Sequence, residues 1–155
     1  SSDESDFAAS RMEAIGRHVG GALTERCARV EPELTRLVAD KPRFHDTLDC
    51  VKFVCKDLWH AAWDKQVDNL RTTTVYVATT RTEQGMFVLQ DHALRTLIGL
   101  RGPSPYVSMD GALARLTQQT AFAVGLLDGA LERLGVQASV HADPDAPECA
   151  CARYG

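Results

Sequence analysis

The stretch Phe44-His45-Asp46-Thr47-Leu48-Asp49-Cys50-Val51-Lys52-Phe53-Val54-Cys55-Lys56-Asp57-Leu58-Trp59-His60-Ala61-Ala62-Trp63 decides the fold of this chain. Its apolar residues recur at alternating steps of four and three, which is the period of one stripe along an α-helix. Pro42 suits the first turn of such a helix, where its missing N–H is not needed. The pattern predicts an amphipathic core helix whose stripe consists of Phe44, Leu48, Val51, Cys55, Leu58 and Ala62.

Three aromatic residues of this stretch do not fit a simple core helix. Phe53 projects almost opposite the apolar stripe, and Trp59 and Trp63 lie one turn apart at its edge. A large apolar side chain on the polar face of a buried helix indicates a second contact surface. We therefore expect Phe53, Trp59 and Trp63 to contact a partner molecule.

The composition is typical of a globular protein. A length of 155 residues predicts a single domain, expected over residues 7–155, with residues 1–6 as an acidic and disordered lead-in. The net charge of −4 gives no electrostatic basis for binding nucleic acid. No apolar run approaches the roughly 20 residues that span a bilayer, so no transmembrane segment is expected. The five cysteines are expected to be mainly buried thiols rather than a disulfide framework.

Two further long helices are predicted, over residues 7–29 and about 108–134. In the first, Met12, Ile15 and Val19 form part of an apolar stripe. Each helix also carries two glycines spaced four residues apart, which predicts close approach of another helix or strand. These glycines are Gly16, Gly20, Gly125 and Gly129.

The remaining segments favour extended chain. Residues 67–91 are rich in Thr, Val and Tyr and predict an antiparallel hairpin with its turn near residues 83–85. Two shorter strands are predicted over residues 136–142 and 149–154. Together the elements predict an α+β fold, with the helices packed on one side of a small antiparallel sheet.

The sequence shows no arrangement typical of catalysis or of cofactor binding. It has no nucleophile elbow, no phosphate-cradling glycine loop, and no second pair of metal ligands beside Cys149 and Cys151. Asp68 and Asp91 flank the hairpin and are interpreted as turn or edge charges. We therefore expect no enzyme activity, no cofactor and no metal site.

Five segments occur in an order that is characteristic of one family. The most specific pieces are Lys52-Phe53-Val54-Cys55-Lys56-Asp57-Leu58-Trp59, Asn69-Leu70-Arg71-Thr72 and Val88-Leu89-Gln90-Asp91. They stand between a Met12–Gly20 helix and an Ala121–Val136 segment. From about residue 11 to residue 151 the chain resembles the small subunits of TRAPP, the transport protein particle. It is most similar to the subunit-six branch of that family.

This resemblance implies a cytoplasmic subunit that dimerises with a sister small subunit, or with itself when it is alone. It also implies contact with the larger TRAPP subunits. The assembled complex tethers vesicles in ER-to-Golgi and Golgi traffic, lies peripherally on those membranes, and acts as a guanine-nucleotide exchange factor for a Rab GTPase. The family's acylated paralogue has a cysteine just before the central helix. Here that position is Lys41-Pro42-Arg43, so acylation is not implied.

The leading hypothesis is therefore an architectural subunit that works by contact with a partner. Aromatic and Met side chains are the usual anchors of interface cores. The residues predicted to bind the partner are Met12, Ile15, Val19, Phe53, Trp59 and Trp63. The alternative is a small-molecule sensor, because domains of the four-vinyl-reductase type resemble the same fold and bind small ligands in its interior.

Overall fold

The computed structural model of the chain describes residues 2–29, 46–77, 82–92, 109–142 and 149–154. These residues form three helices and four strands. The first and third helices are α1 (Ser2–Arg29) and α3 (Met109–Arg133). The second, α2, is continuous but changes its winding, with segments Thr47–Phe53 (α), Val54–Leu58 (π) and Trp59–Trp63 (α). The strands are β1 (Asn69–Val77), β2 (Thr82–Gln90), β3 (Ala138–Ala142) and β4 (Cys149–Tyr154).

Helix α1 begins earlier than its sequence pattern predicts. The expected disordered lead-in over residues 1–6 is wrong for residues 2–6, which form the first turns of the helix. Asp3 and Glu4 lie in the first turn, where carboxylates interact favourably with the positive end of the helix dipole. The acidic character that indicated disorder therefore supports a helix N-terminus.

Helix α2 has clear signals at both ends. The Asp46 carboxylate accepts a hydrogen bond from the Asp49 N–H at 2.8 Å, which caps the first turn. Asp64 adopts a left-handed conformation (φ 57°) and ends the helix, its N–H bonding the His60 carbonyl. The predicted start at Phe44 lies outside the described residues.

A π-helical turn, Val54–Leu58, interrupts α2 at its middle. The Cys55 carbonyl accepts a hydrogen bond from the N–H of Val67 at 3.1 Å, in the segment that leads into β1. The helix and the start of the hairpin are therefore joined through their backbones.

The sheet is four-stranded and antiparallel, in the order β1-β2-β4-β3. In the hairpin, Asn69 pairs with Gln90 and Val77 pairs with Thr82. The prediction of a turn near residues 83–85 is wrong, because Gly85 lies within β2 and pairs with Thr74. Strand β2 consequently begins earlier than the sequence indicated.

One face of the sheet packs against the helices. Phe87 and Leu89 of β2 and Val140 of β3 are buried there, in a cluster with α2 and α3. Gly135 ends α3 with φ +79°, a conformation that favours glycine, and the chain turns into β3. The predicted α+β class, with helices on one side of a small antiparallel sheet, is confirmed. The buried helical residues of this cluster include Val51, Val54, Leu58, Leu126, Leu127 and Ala130.

Candidate functional site: the outer face of α1

Helices α1 and α3 pack against each other along four glycines, Gly16, Gly20, Gly125 and Gly129, which we call the glycine seam. A Cβ atom at Gly16 or Gly20 would overlap the backbone of α3, and one at Gly125 or Gly129 would overlap the backbone of α1. Residues further along α1 contact residues further along α3, so the two helices run parallel. The predicted role of both glycine pairs as packing grooves is confirmed.

Ion pairs flank this seam. Arg17 of α1 pairs with Asp128 of α3, and Glu25 of α1 pairs with Arg133 of α3. Each pair links the two helices at a point beside the glycines. Partly exposed ion pairs of this kind add little free energy, but they fix the rotation of one helix against the other.

Because the glycines face α3, the opposite face of α1 is exposed to solvent. The Phe7 side chain is 66% exposed and the Ile15 side chain is 50% exposed. The Arg11 guanidinium carbon lies 5.8 Å from the centre of the Phe7 ring, which is cation–π geometry. The exposed residues along this outer face of α1 are Glu4, Phe7, Arg11, Ala14, Ile15, His18, Ala22 and Arg26.

The structure separates the three predicted partner-binding residues of α1. Ile15 belongs to the outer face. Met12 is half-buried, and Val19 is half-buried and packs against the core. Sequence reasoning did not single out Phe7, although its position two turns before Ile15 on one helical face was a usable signal.

The predicted surface position of Phe53, Trp59 and Trp63 is wrong. All three are buried within the chain, and Phe53 is only 4% exposed. Helix α2 is covered on more than one side, so position opposite an apolar stripe did not mean contact with solvent. The two indole rings pack together with their centres 4.2 Å apart. A direct partner contact through these residues stays a prediction.

Trp59 belongs instead to a buried polar cluster centred on Asp91. The Trp59 indole N–H donates to one Asp91 oxygen at 2.7 Å, and the Lys65 ammonium donates to the other at 2.5 Å. Asp91 is 5% exposed, so its interpretation as an edge charge is wrong. A buried carboxylate requires such partners. The cluster therefore ties α2 to the end of β2.

Asp68 extends the cluster to the surface. It accepts hydrogen bonds from Lys65 at 3.2 and 3.3 Å and from the His92 N–H at 2.7 Å. The His92 hydrogen bond, helped by Lys65, lowers the pKa of Asp68 against the effect of its partial burial. Burial lowers the pKa of Lys65, but hydrogen bonds and attraction to Asp91 and Asp68 outweigh it, and the pKa is raised. Both groups are therefore held in their charged forms.

A groove of about 700 Å³ lies between α3 and β3. The hydroxyls of Thr117 and Thr120 donate to carbonyls of their own helix, so they offer little to a ligand. Leu113 stands at this groove with its side chain 62% exposed. The apolar lining consists of Leu113, Leu116, Ala121, Val124, Val140 and Ala142, with Glu13 and His141 as the charged or titratable members.

Neither a metal site nor a membrane span is evident in the part of the chain that the structure describes. Among those residues, no three His, Cys, Asp or Glu side chains come together as a metal would require. None of the described helices is long and apolar enough to cross a bilayer. Burial raises the pKa of the Cys55 thiol to about 12, which makes it a poor nucleophile or ligand.

Comparison with known proteins assigns the chain to a family. The family model described as "Transport protein particle (TRAPP) component" matches residues 1–152. The chain belongs to this TRAPP family. It is 37% identical over 134 residues to "Trafficking protein particle complex subunit 6b" of Danio rerio, which covers 86% of this chain and 69% of that protein. It is 36% identical over 141 residues to the human subunit 6A, covering 90% of this chain and 73% of that protein.

A solved TRAPP structure shows the same fold. It is subunit 3 of Naegleria fowleri, described as covalently bound to palmitic acid, with a TM-score of 0.53 and 9% sequence identity. The match covers 97% of this chain and 81% of the other. Two of the motifs that carried the resemblance to TRAPP meet in the buried polar cluster, since one contributes Trp59 and another contributes Asp91.

Proposed function

We propose that this chain is an architectural subunit of the TRAPP vesicle-tethering and Rab exchange-factor complex. It acts by dimerising with a sister small subunit, and it reaches the larger subunits and the Rab GTPase through the assembled complex. Its place is the cytoplasm, peripherally at Golgi and ER–Golgi membranes. The family and its subunit-six relatives support this assignment.

The exposed apolar side chains on the outer face of α1 are the observation that carries the proposal. Phe7 is more than half exposed and Ile15 is half exposed. Both lie on a helix that packs closely against α3 along the glycine seam. Burying such a side chain fully contributes about 1.5–3 kcal/mol. A rigid helix also loses little conformational entropy on binding, which favours its use as a docking surface.

The role is structural rather than catalytic. Asp91, the buried carboxylate of the described residues, is held by Trp59 and by Lys65, and Lys65 is also paired with Asp68. Groups engaged in this way stabilise the fold and are not poised for proton transfer. The exchange activity of the complex is therefore proposed to come from other subunits.

Mutation of Ile15 tests the proposal. Ile15→Glu should weaken binding to the sister small subunit by at least about ten-fold, because it places a charge in the centre of the contact. Ala61→Glu is the matched control, since Ala61 is exposed on α2 and is not part of the outer face of α1. Affinity is measured by titration calorimetry, and thermal unfolding confirms that both variants are folded. Equal affinities for the two variants would contradict the proposal.

A small-molecule sensor is the second candidate, favoured by the groove of about 700 Å³ beside β3. Its volume and apolar lining fall within the range of ligand sites. Native mass spectrometry of the purified chain separates the two functions. A retained compound on a monomer supports the sensor, whereas a complex with the sister subunit supports the scaffold.

A further inference from the structure

We propose that the groove between α3 and β3 binds an extended peptide segment of another protein, which adds a strand to the sheet beside β3. The segment carries apolar side chains at alternate positions and a Lys or Arg. The groove shares no residue with the outer face of α1. This second binding site therefore goes beyond the proposed function and does not depend on it.

Strand β3 lies at an edge of the sheet. Among the described residues it pairs with β4 on one side and with no strand on the other. In an antiparallel ladder, alternate residues direct their N–H and C=O groups away from the paired neighbour. Alternate residues of β3 therefore offer backbone hydrogen-bonding groups beside the groove, at the spacing that a further strand requires.

Helix α3 forms the opposite wall of the groove. The chain turns at Gly135, so β3 runs back alongside the helix, and Val140 and Ala142 line the groove together with α3 residues from Leu113 to Val124. Every second side chain of a strand added beside β3 lies on the same face of the sheet as Val140, and so enters the groove. Edge strands beside such grooves bind peptides in this way, with backbone hydrogen bonds for affinity and side-chain pockets for specificity.

The α3 wall selects apolar side chains. The hydroxyls of Thr117 and Thr120 donate to the carbonyls of Leu113 and Leu116 at 3.0 and 2.8 Å, so they do not need a ligand as acceptor. The Leu113 side chain is 62% exposed. An apolar side chain bound against it removes this surface from water, which favours binding.

Two carboxylates at the groove favour a basic segment. Glu13 of α1 lines the groove, and Asp110 lies on the same face of α3, one turn before Leu113. Within the described residues, neither carboxylate is engaged in an ion pair. Arg115 lies two residues past Leu113, which is about 200° round the helix and so away from the groove. A Lys or Arg of the segment therefore meets opposite charges, which favours association.

The edge of the sheet distinguishes a peptide from a small molecule as the occupant. A small apolar molecule would contact the α3 wall but would leave the outward N–H and C=O groups of β3 to water. An extended peptide uses both walls at once, because its backbone pairs with β3 while its side chains contact α3. The groove is therefore better matched to a peptide.

The length of β3 sets the strength of the contact. Its five residues span about 17 Å, so they pair with about five residues of the segment, of which two or three direct side chains into the groove. So small a contact is expected to be weak, with a Kd of about 1–100 μM. Such an affinity suits a segment that is also tethered by other contacts.

Selection from a random peptide library tests the site in the full chain. The recovered peptides should have apolar residues at alternate positions and a Lys or Arg. Leu113→Glu should weaken their binding at least about ten-fold, because it places a charge in the apolar wall. Ala61→Glu, on the exposed side of α2, is the matched control and should change nothing. Failure to recover such peptides, or equal binding by the two variants, would overturn the proposal.

Charge reversal tests the preference for a basic segment. Asp110→Lys should weaken binding of a recovered peptide about five-fold or more, and should not weaken its analogue in which Gln replaces Lys or Arg. Arg115→Asp, on the other side of α3, is the control and should affect neither peptide. An equal loss for the basic peptide and its analogue would show that Asp110 does not select charge and would overturn this part of the proposal.

Hydrogen exchange and backbone methylation test strand addition. The bound peptide should slow exchange of the outward amides of β3 by at least about ten-fold and leave β2 unchanged. N-methylation of the peptide at alternate positions should abolish binding in one set of positions and be tolerated in the other, because only one set faces β3. Unchanged exchange in β3, or equal effects of both methylated sets, would overturn the proposal.

The outcomes for this groove and for the proposed function are distinguishable. Ile15→Glu should weaken binding of the sister subunit and leave peptide binding unchanged, whereas Leu113→Glu should have the opposite effects. A chain that binds the sister subunit but no extended peptide would overturn the groove proposal alone. A chain that binds peptides in the groove but no sister subunit would contradict the proposed function alone.

Discussion

Replacing Asp91 with alanine is predicted to lower the free energy of unfolding by about 2–4 kcal/mol. Asp91 is a buried carboxylate that accepts hydrogen bonds from Trp59 of α2 and from Lys65 of the following segment. Its removal deletes the polar contact between α2 and the end of β2. The loss is large because both donors remain after the acceptor is gone.

The predicted loss in the free energy of unfolding depends on whether each donor can find another hydrogen-bond acceptor. The Trp59 indole N–H stays buried without an acceptor, which costs about 1–3 kcal/mol. The Lys65 side chain is 23% exposed and keeps Asp68 at 3.2 Å, so it can turn partly to water. Its contribution is therefore about 1 kcal/mol rather than the larger value of a fully buried charge.

Tryptophan fluorescence during urea unfolding measures this change. The chain has two tryptophans, and their rings pack 4.2 Å apart inside the core, so their emission reports on the affected region. With a urea dependence of about 1–3 kcal/mol per molar, the midpoint should fall by roughly 1–2 M. Far-UV circular dichroism should show the same midpoint if unfolding is two-state.

Two controls isolate the cause. Asp57→Ala removes an exposed carboxylate from α2 and should change stability by no more than about 0.5 kcal/mol. Asp91→Asn keeps an oxygen that can accept from Trp59, so its loss should be about half that of alanine. If Asp91→Ala were as stable as Asp57→Ala, the buried cluster would not hold α2 to the sheet and the reasoning would be refuted.

Three further predictions concern packing, acid stability and thiol reactivity. Gly20→Ala should destabilise the chain by roughly 2 kcal/mol or more in thermal unfolding, because its Cβ would overlap an α3 carbonyl. A Cβ at Gly21 would lie 3.8 Å from the Gly129 carbonyl oxygen, an ordinary contact, so Gly21→Ala should stabilise by about 0.5–1 kcal/mol. Equal changes in stability for Gly20→Ala and Gly21→Ala would contradict close packing of α1 against α3 at Gly20. The pKa of Asp68 is lowered by the His92 N–H, so its contribution to stability is present above its ordinary value of 3.8 and is lost as pH falls below it. The free energy of unfolding of Asp68→Asn should therefore fall less steeply with decreasing pH than that of the wild type. An equal slope for the two proteins would refute this. Burial raises the pKa of Cys55 to about 12, so at about pH 8 mass spectrometry should find it alkylated only as fast as the chain unfolds.

Local sequence patterns predicted most of the secondary structure. Helices α1 and α3 and the hairpin follow from periodicity and composition, because these depend on residues close together in the chain. The boundaries were less well predicted. The first turns of α1 and the length of β2 differ from expectation. Asp3 and Glu4 lie in the first turn of α1, where the helix dipole favours them, and Gly85 pairs with Thr74, so both segments are regular despite their composition.

The candidate site was predicted only in part. Ile15 was predicted to bind the partner and is exposed. Phe7 is also exposed but was not singled out, and Phe53 was expected at the surface but is buried. A helical wheel shows which residues share a face and does not show how many neighbours cover that helix. Other segments of the chain cover several faces of α2, so the stripe of polar residues that contacts solvent is narrow. The Phe53 side chain is therefore buried in the core.

The sequence by itself determined the α+β class, the two glycine pairs and the motifs that identify the family, because each is carried by residues within a few turns of one another. Only the tertiary structure decided that Asp91 is buried under Trp59, 32 positions earlier in the chain, and that the glycine pairs meet in a parallel seam. The physical reason is that burial and charge pairing depend on which distant segments come together. The same packing turns the outer face of α1 to solvent, and with it the surface on which the proposed function rests.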